Sequence, residues 1–144
     1  MNDTAPLGTV VELHVPDFDP IRRFYTDIGF EILWEREPED KKGYLVTRFQ
    51  NNVLCFWCGN DSVYEQSYFK DFPSTTPRGY GVEVVIMVDD IEVVFDRLKD
   101  HDHLVSPLRL RAWGIRDFRV LDPFGFYLRF SEPLDIRDPR YAVE

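Results

Sequence analysis

Two stretches of this chain pass through the same order of local signals, and that recurrence limits its possible folds more than any other feature. The first opens at Val10-Val11-Glu12-Leu13-His14-Val15. This run is rich in β-branched residues and alternates, with Val11, Leu13 and Val15 on one side and Val10, Glu12 and His14 on the other. That is the period of a half-buried strand. Pro16 and Pro20 bracket an Asp17-Phe18-Asp19 turn. Asp19 reads as an N-cap and Pro20 as the first helical residue, since proline's missing N–H costs nothing there. Ile21, Phe24, Tyr25 and Ile28 then recur at helical spacing, so a helix is expected over 20–28, closed by Gly29. Further strands are expected over 30–36, 44–49 and 53–58. A charged loop at 37–42 and a tight turn at Asn51-Asn52 separate them.

The order then restarts. A strand is expected over 80–88 and an Asp89-Asp90 cap follows it. The helix over 91–99 should turn Ile91, Val94, Phe95 and Leu98 inward. A weaker strand at 104–110 precedes a hairpin of 115–121 and 126–130 around Asp122-Pro123-Phe124-Gly125, which has proline and glycine where a type I turn favours them. Residues 59–79 read as a linker with a helical turn near 62–69. The chain is thus expected to be a single domain over 1–144, with one module at about 7–60, a second at about 80–132 and a polar tail at 133–144. Residue identity between the modules is weak, so the element order repeats rather than the sequence. Each module holds one helix and about four strands, which implies an α+β protein with helices on one face of curved sheets. The other face must meet a ligand, the other half or another subunit.

Composition supports one soluble globular protein and removes several functions. The 144 residues are 44% hydrophobic and include 12 Phe, 7 Tyr and 3 Trp, enough apolar surface to argue against disorder. A formal charge of −9 without a basic cluster argues against nucleic acid as a partner and is compatible with cationic ligands. No apolar run approaches a membrane span, and residues 1–9 carry no basic, apolar leader. With only Cys55 and Cys58 there is no disulfide framework, so a cytoplasmic location is expected.

Alternation sorts side chains by face. Val11, Leu13, Val15, Leu54, Phe56, Val84, Ile86, Val88, Leu128 and Phe130 are all apolar and are assigned to the helices. The helix-free face receives Val10, Glu12, His14, Val53, Cys55, Trp57, Glu83, Val85, Met87, Tyr127 and Arg129. Pairing across the 122–125 turn adds Phe118 and offers Arg116 as a further member. Aromatics mixed with charges suit a wet ligand cavity, or else a salt-bridged interface between the halves.

Certain residues are similar to a known family. Asp17-Phe18-Asp19 followed by Phe24-Tyr25 and Gly29-Phe30 resembles the first-helix signature of the vicinal oxygen chelate superfamily, which includes glyoxalases, bleomycin resistance proteins and extradiol dioxygenases. Trp113-Gly114 and Asp122-Pro123-Phe124-Gly125 resemble its closing hairpin. The look is nearest the bleomycin-resistance branch, and the match runs over about 8–132. The resemblance implies two βαβββ modules with cup-shaped sheets, commonly as a homodimer. Enzymes of the superfamily hold a divalent metal with one ligand from each of four strands. The matching positions here read Val10, Cys55, Glu83 and Arg129, so the resemblance implies that the metal chemistry is lost, with Glu83 and Arg129 able to pair in its place.

Other motifs have plainer readings. Glu12, His14 and Glu83 could hold a metal in a shifted site, but Arg129 would lie near and no fourth ligand is evident. His101 and His103 read as a solvated helix end. Cys55 and Cys58 form a C-x-x-C on a strand, which sends the thiols to opposite faces, whereas a redox pair sits at a helix start. The expected function is therefore non-enzymatic binding of an aromatic or cationic small molecule, without cofactor or metal. Glu12, His14, Trp57, Glu83, Trp113, Phe118, Tyr127 and Arg129 are the expected contacts, and a homodimer is the expected state. The alternatives are a metal-dependent lyase, isomerase or dioxygenase with a rearranged site, and a ligand-free structural or regulatory dimer.

Overall fold

The computed structural model describes residues 6–142. Residues 1–5, at the start of the expected leader-free segment, and 143–144, at the end of the polar tail, lie outside the described residues. The chain divides into two compact units, one through Thr76 and one from Pro77.

Unit 1 contains β1 (Val11–Val15), α1 (Phe18–Ile28), β2 (Glu31–Arg36), β3 (Tyr44–Phe49) and β4 (Asn52–Cys58), then 3-10 turns at Asp61–Glu65 and Phe69–Asp71. Its sheet runs β1-β4-β3-β2. β1 lies parallel to β4, with Val11 opposite Leu54 and His14 opposite Trp57, and the other pairs are antiparallel. α1 starts two residues earlier than the spacing predicts. Asp17, not Asp19, is the N-cap, and its carboxylate accepts from the Asp19 N–H at 2.9 Å. Pro20 still falls within the first turn, where no intrahelical N–H is needed. The β3–β4 turn is Gln50-Asn51, one residue before the expected Asn51-Asn52, and Phe49 pairs with Asn52. α1 ends as expected, with the Gly29 N–H donating to the Thr26 and Tyr25 carbonyls at a φ of 130°.

The apolar stripe of α1 is buried on one face of this sheet. Tyr25 meets Phe56 at 5.1 Å and Phe30 at 5.3 Å between ring centroids. Phe18, Ile21 and Ile28 are buried beside Val15, Leu45 and Phe56. Each such side chain contributes roughly 1.5–3 kcal/mol of burial.

Unit 2 repeats the plan with β5 (Glu83–Met87), α2 (Ile91–Leu98), β6 (Leu104–Leu110), β7 (Arg116–Leu121) and β8 (Tyr127–Ser131), in the order β5-β8-β7-β6. β5 is parallel to β8 and the remaining pairs are antiparallel. β5 is shorter than the 80–88 expected, beginning after the Gly79–Val82 turn. Ile91, Val94 and Leu98 of α2 are buried, and Phe95 packs edge-on to Phe118 at 5.1 Å. The α+β class and the two βαβββ arrangements therefore stand, each as a four-stranded mixed sheet.

The β7–β8 turn corrects one assignment. Leu121 pairs with Tyr127, so the loop holds five residues, 122–126, rather than four. The Asp122 carboxylate fixes it by accepting from the N–H groups of Phe124 at 2.9 Å and Phe126 at 3.0 Å. The one-residue shift moves every β7 side chain to the opposite face. Phe118 lies opposite Phe130, stacks on it at 5.2 Å and is 0% exposed on the α2 side. It is a core residue, not a contact on the helix-free face.

Candidate functional site

The helix-free face of unit 1 gathers Glu12 and His14 from β1, Tyr44 from β3, and Cys55 and Trp57 from β4. The register sets Glu12 opposite Cys55 and both His14 and Tyr44 opposite Trp57. His14 Nε2 lies 3.1 Å from a Glu12 carboxylate oxygen. Its ring is 4.9 Å from Trp57 and meets Phe69 edge-on at 5.3 Å. The Trp57 indole N–H donates to the Lys41 carbonyl at 3.1 Å, which fixes the plane of the ring while leaving it half-buried. Burial, then hydrogen bonding between its hydroxyl and Glu12, holds Tyr44 well above the usual phenol range. Burial pushes the Cys55 thiol up as well. Tyr44 and Cys55 are therefore protonated at neutral pH.

The corresponding face of unit 2 is a charge network. Glu83 takes Arg119 Nε at 3.0 Å and stands 3.3 Å from Arg129 Nε. Beneath them Asp117 is 1% exposed. It accepts from Arg111 Nε at 2.6 Å and lies 3.6 Å from Arg119 Nη1 and 3.9 Å from Arg129 Nη1. Tyr127 shares this face, half-buried opposite Glu83. The expected Glu83–Arg129 pairing is present, but it belongs to a larger set. Arg111, Asp117 and Arg119 were missed because they depend on the β7 register. The Asp122-to-Phe126 spacing was the one sequence signal that could have found them, had the turn been read as five residues.

Other aromatic residues take varied places. Trp113 sits half-buried in the β6–β7 turn, where the Gly114 N–H donates to the Arg111 carbonyl, and not on a strand. Trp34 is exposed and stacks on Tyr44 at 5.6 Å. Phe69 reaches His14 from the linker, which no strand alternation could indicate. Cys55 and Cys58 are buried free cysteines.

The residues at the superfamily's metal positions do not fit a divalent ion. Val10, 53% exposed ahead of β1, offers no donor atom. Cys55 is a protonated thiol bonded to Tyr44, and Glu83 is engaged by two guanidinium groups. Arg129 offers a cation in place of a donor atom. Among the described residues no three His, Cys, Asp or Glu side chains group to hold a metal. No helix among them is long and apolar enough to cross a membrane.

Solved structures share this architecture. TioX from Micromonospora sp. ML1 is 21% identical, with 90% of this chain and 98% of that chain covered and a TM-score of 0.62. A protein of unknown function from Agrobacterium tumefaciens str. C58 is 24% identical over 90% and 97% of the chains, with a TM-score of 0.66. A bleomycin-binding protein complexed with bleomycin is 17% identical over 90% and 100%, with a TM-score of 0.59. At such identities the likeness concerns the fold. No curated protein matches the chain. Residues 8–130 match the profile of the Glyoxalase/Bleomycin resistance protein/Dioxygenase superfamily. The repeated βαβββ units and a profile match across both of them carry the same conclusion: the chain belongs to the Glyoxalase/Bleomycin resistance protein/Dioxygenase superfamily.

Proposed function

We propose that the protein is a non-enzymatic binder that sequesters an aromatic, cationic small molecule, acting as a homodimer. The observation that carries this reading is the helix-free face of unit 1. There Trp57, His14 and Phe69 offer ring surfaces around the carboxylate of Glu12. An aromatic contact adds roughly 0.5–1.5 kcal/mol beyond area, and a cation over a tryptophan face is attracted further. The mismatch of Val10 and Arg129 with metal chemistry supports binding over catalysis. On unit 2, Glu83, Tyr127 and Arg129 are assigned to ligand contact on their own face, and Trp113 in the β6–β7 turn is assigned to its rim.

A bleomycin is the first probe, because a structural neighbour is described as binding it. Titration followed by tryptophan fluorescence should saturate. Trp57→Ala should weaken binding by about tenfold, the loss expected of one stacked aromatic contact, and Glu12→Gln should weaken a cationic probe more than a neutral one. Binding unchanged in both variants would remove unit 1 from the site. One tightly held divalent metal per chain, lost on Glu83→Gln, would overturn the non-enzymatic reading.

A further inference from the structure

We infer that the helix-free face of unit 2 is a receptor for an organic carboxylate, through Arg129 and its neighbours Arg111 and Arg119. The inference rests on the reading that these faces bind ligands, and it gives this one a ligand group opposite in charge to that of unit 1. Three guanidinium groups here meet two carboxylates, and the exposed Arg109 stands opposite Asp117 in the sheet, so positive groups outnumber carboxylates on this face. Those three are mostly withdrawn from water, since the side chains of Arg111, Arg119 and Arg129 are 19%, 15% and 19% exposed. Donors on such buried cations are costly when unspent.

The carboxylates spend them unequally. Arg111 is bonded to Asp117 at 2.6 Å and faces Ser106 Oγ at 3.4 Å, and Arg119 is bonded to Glu83 at 3.0 Å. Arg129 Nε is buried and makes no hydrogen bond among the described residues, because its 3.3 Å approach to Glu83 lacks hydrogen-bond geometry. Its Nη1 is 3.9 Å from Asp117, beyond hydrogen-bond reach. Arg129 is therefore the cation with donors left over, and the exposed fifth of its side chain is where an added oxyanion would meet it.

The surplus of positive groups suits an oxyanion. The same face carries the half-buried Val85, Leu121 and Tyr127, which would meet the apolar body of such a molecule. A carboxylate attached to a ring or a short hydrocarbon chain is thus the class that fits.

The test is calorimetric titration of the full chain with sodium benzoate and with sodium phosphate, at constant ionic strength held with sodium chloride. Benzoate should bind saturably and more tightly than phosphate. Arg129→Gln should weaken benzoate at least about tenfold, as loss of a charge-assisted hydrogen bond predicts. The arginine Nε–H resonances of the wild-type protein provide a readout that needs no variant to fold. The Arg129 signal should shift along the benzoate titration more than those of Arg111 and Arg119. No saturable benzoate binding, phosphate binding as tight as benzoate, or an unmoved Arg129 signal would each overturn the inference. Failure of bleomycin binding alone would instead overturn the reading of unit 1.

Discussion

The two units build the same sheet, β1-β4-β3-β2 and β5-β8-β7-β6, but the faces that their helices leave open differ in how charge is used. In unit 1 a carboxylate and an imidazole stand among rings, and the buried thiol and phenol beside them stay neutral. In unit 2 the open face carries arginines and carboxylates locked to one another. One topology thus supports an aromatic surface with charge to offer and an ionic lattice whose charge is largely spent internally. The helix sides, apolar in both units, do not vary in this way, because a core admits few alternatives whereas an open face admits many.

Paired substitutions test this contrast. The largest effect should come from the helix side of unit 1. Phe56→Ala should cost roughly 3–5 kcal/mol in urea unfolding, as for other buried aromatics. Trp57→Ala, one residue along and on the open face, should cost only about 1–2 kcal/mol for the area and the one hydrogen bond it gives up. Equal losses would mean that Trp57 is core and that unit 1 has no open aromatic face.

Next comes the lattice of unit 2. Asp117→Ala leaves three guanidinium groups short of a buried carboxylate and should cost about 3 kcal/mol, in the range for breaking a buried pair. Glu12→Ala, the carboxylate of the other face, should cost under about 1 kcal/mol, as exposed pairs do. If the two substitutions cost the same, the contrast in how charge is spent is lost.

Asp122→Ala should follow, at about 2 kcal/mol, because it deletes two backbone bonds to a buried carboxylate. It also loosens the turn that sets the β7 register. The Arg119 and Phe118 side-chain resonances should therefore shift together, and movement of neither would show that the register is fixed elsewhere.

The smallest effect is on alkaline stability and belongs to unit 1. Cys55 and Tyr44 hold their protons more tightly folded than unfolded. Their contribution is whole below the ordinary thiol value of 9.0. It declines as pH rises past 9.0 and then past the phenol's 10.0, because the unfolded chain releases these protons first. Urea midpoints should fall between about pH 9 and 11, and less steeply in Tyr44→Phe. An unchanged slope in that variant would place the alkaline loss outside this face.

Much of this was legible in the sequence, for identifiable reasons. β3 and β6 fall where alternation puts them, and the buried stripe of α1 follows its 3.6-residue spacing. Glu12, His14 and Trp57 share a face because parity along a single strand needs no knowledge of its partner. Phe118, Asp117 and Arg119 could not be sorted so simply. Their face depends on whether the turn before β8 holds four residues or five, and Asp-Pro-Phe-Gly satisfies a four-residue turn locally. That turn does form, with the Gly125 N–H on the Asp122 carbonyl, and the bonds between Asp122 and Phe126 select the longer loop. The N-cap was similarly ambiguous, since Asp17 and Asp19 both precede a helix-compatible proline. Phe69 was out of reach altogether, because a linker's 3-10 turn has no periodic pattern linking it to β1.

The parallel pairing of β1 with β4 has a consequence for the order of assembly. β2, β3 and β4 are joined by short connections and can zip up as a meander, whereas Val11 meets Leu54 only after the whole intervening segment has formed. Closing so long a segment carries a larger entropic cost, and such contacts are the slower ones to form. β1 is also an edge strand of its own sheet, with β4 as its one neighbour there. Glu12 and His14 ride on it. A molecule held by those two side chains therefore works as a clasp on the last strand to be seated, and its residence time and the lifetime of the closed unit become linked.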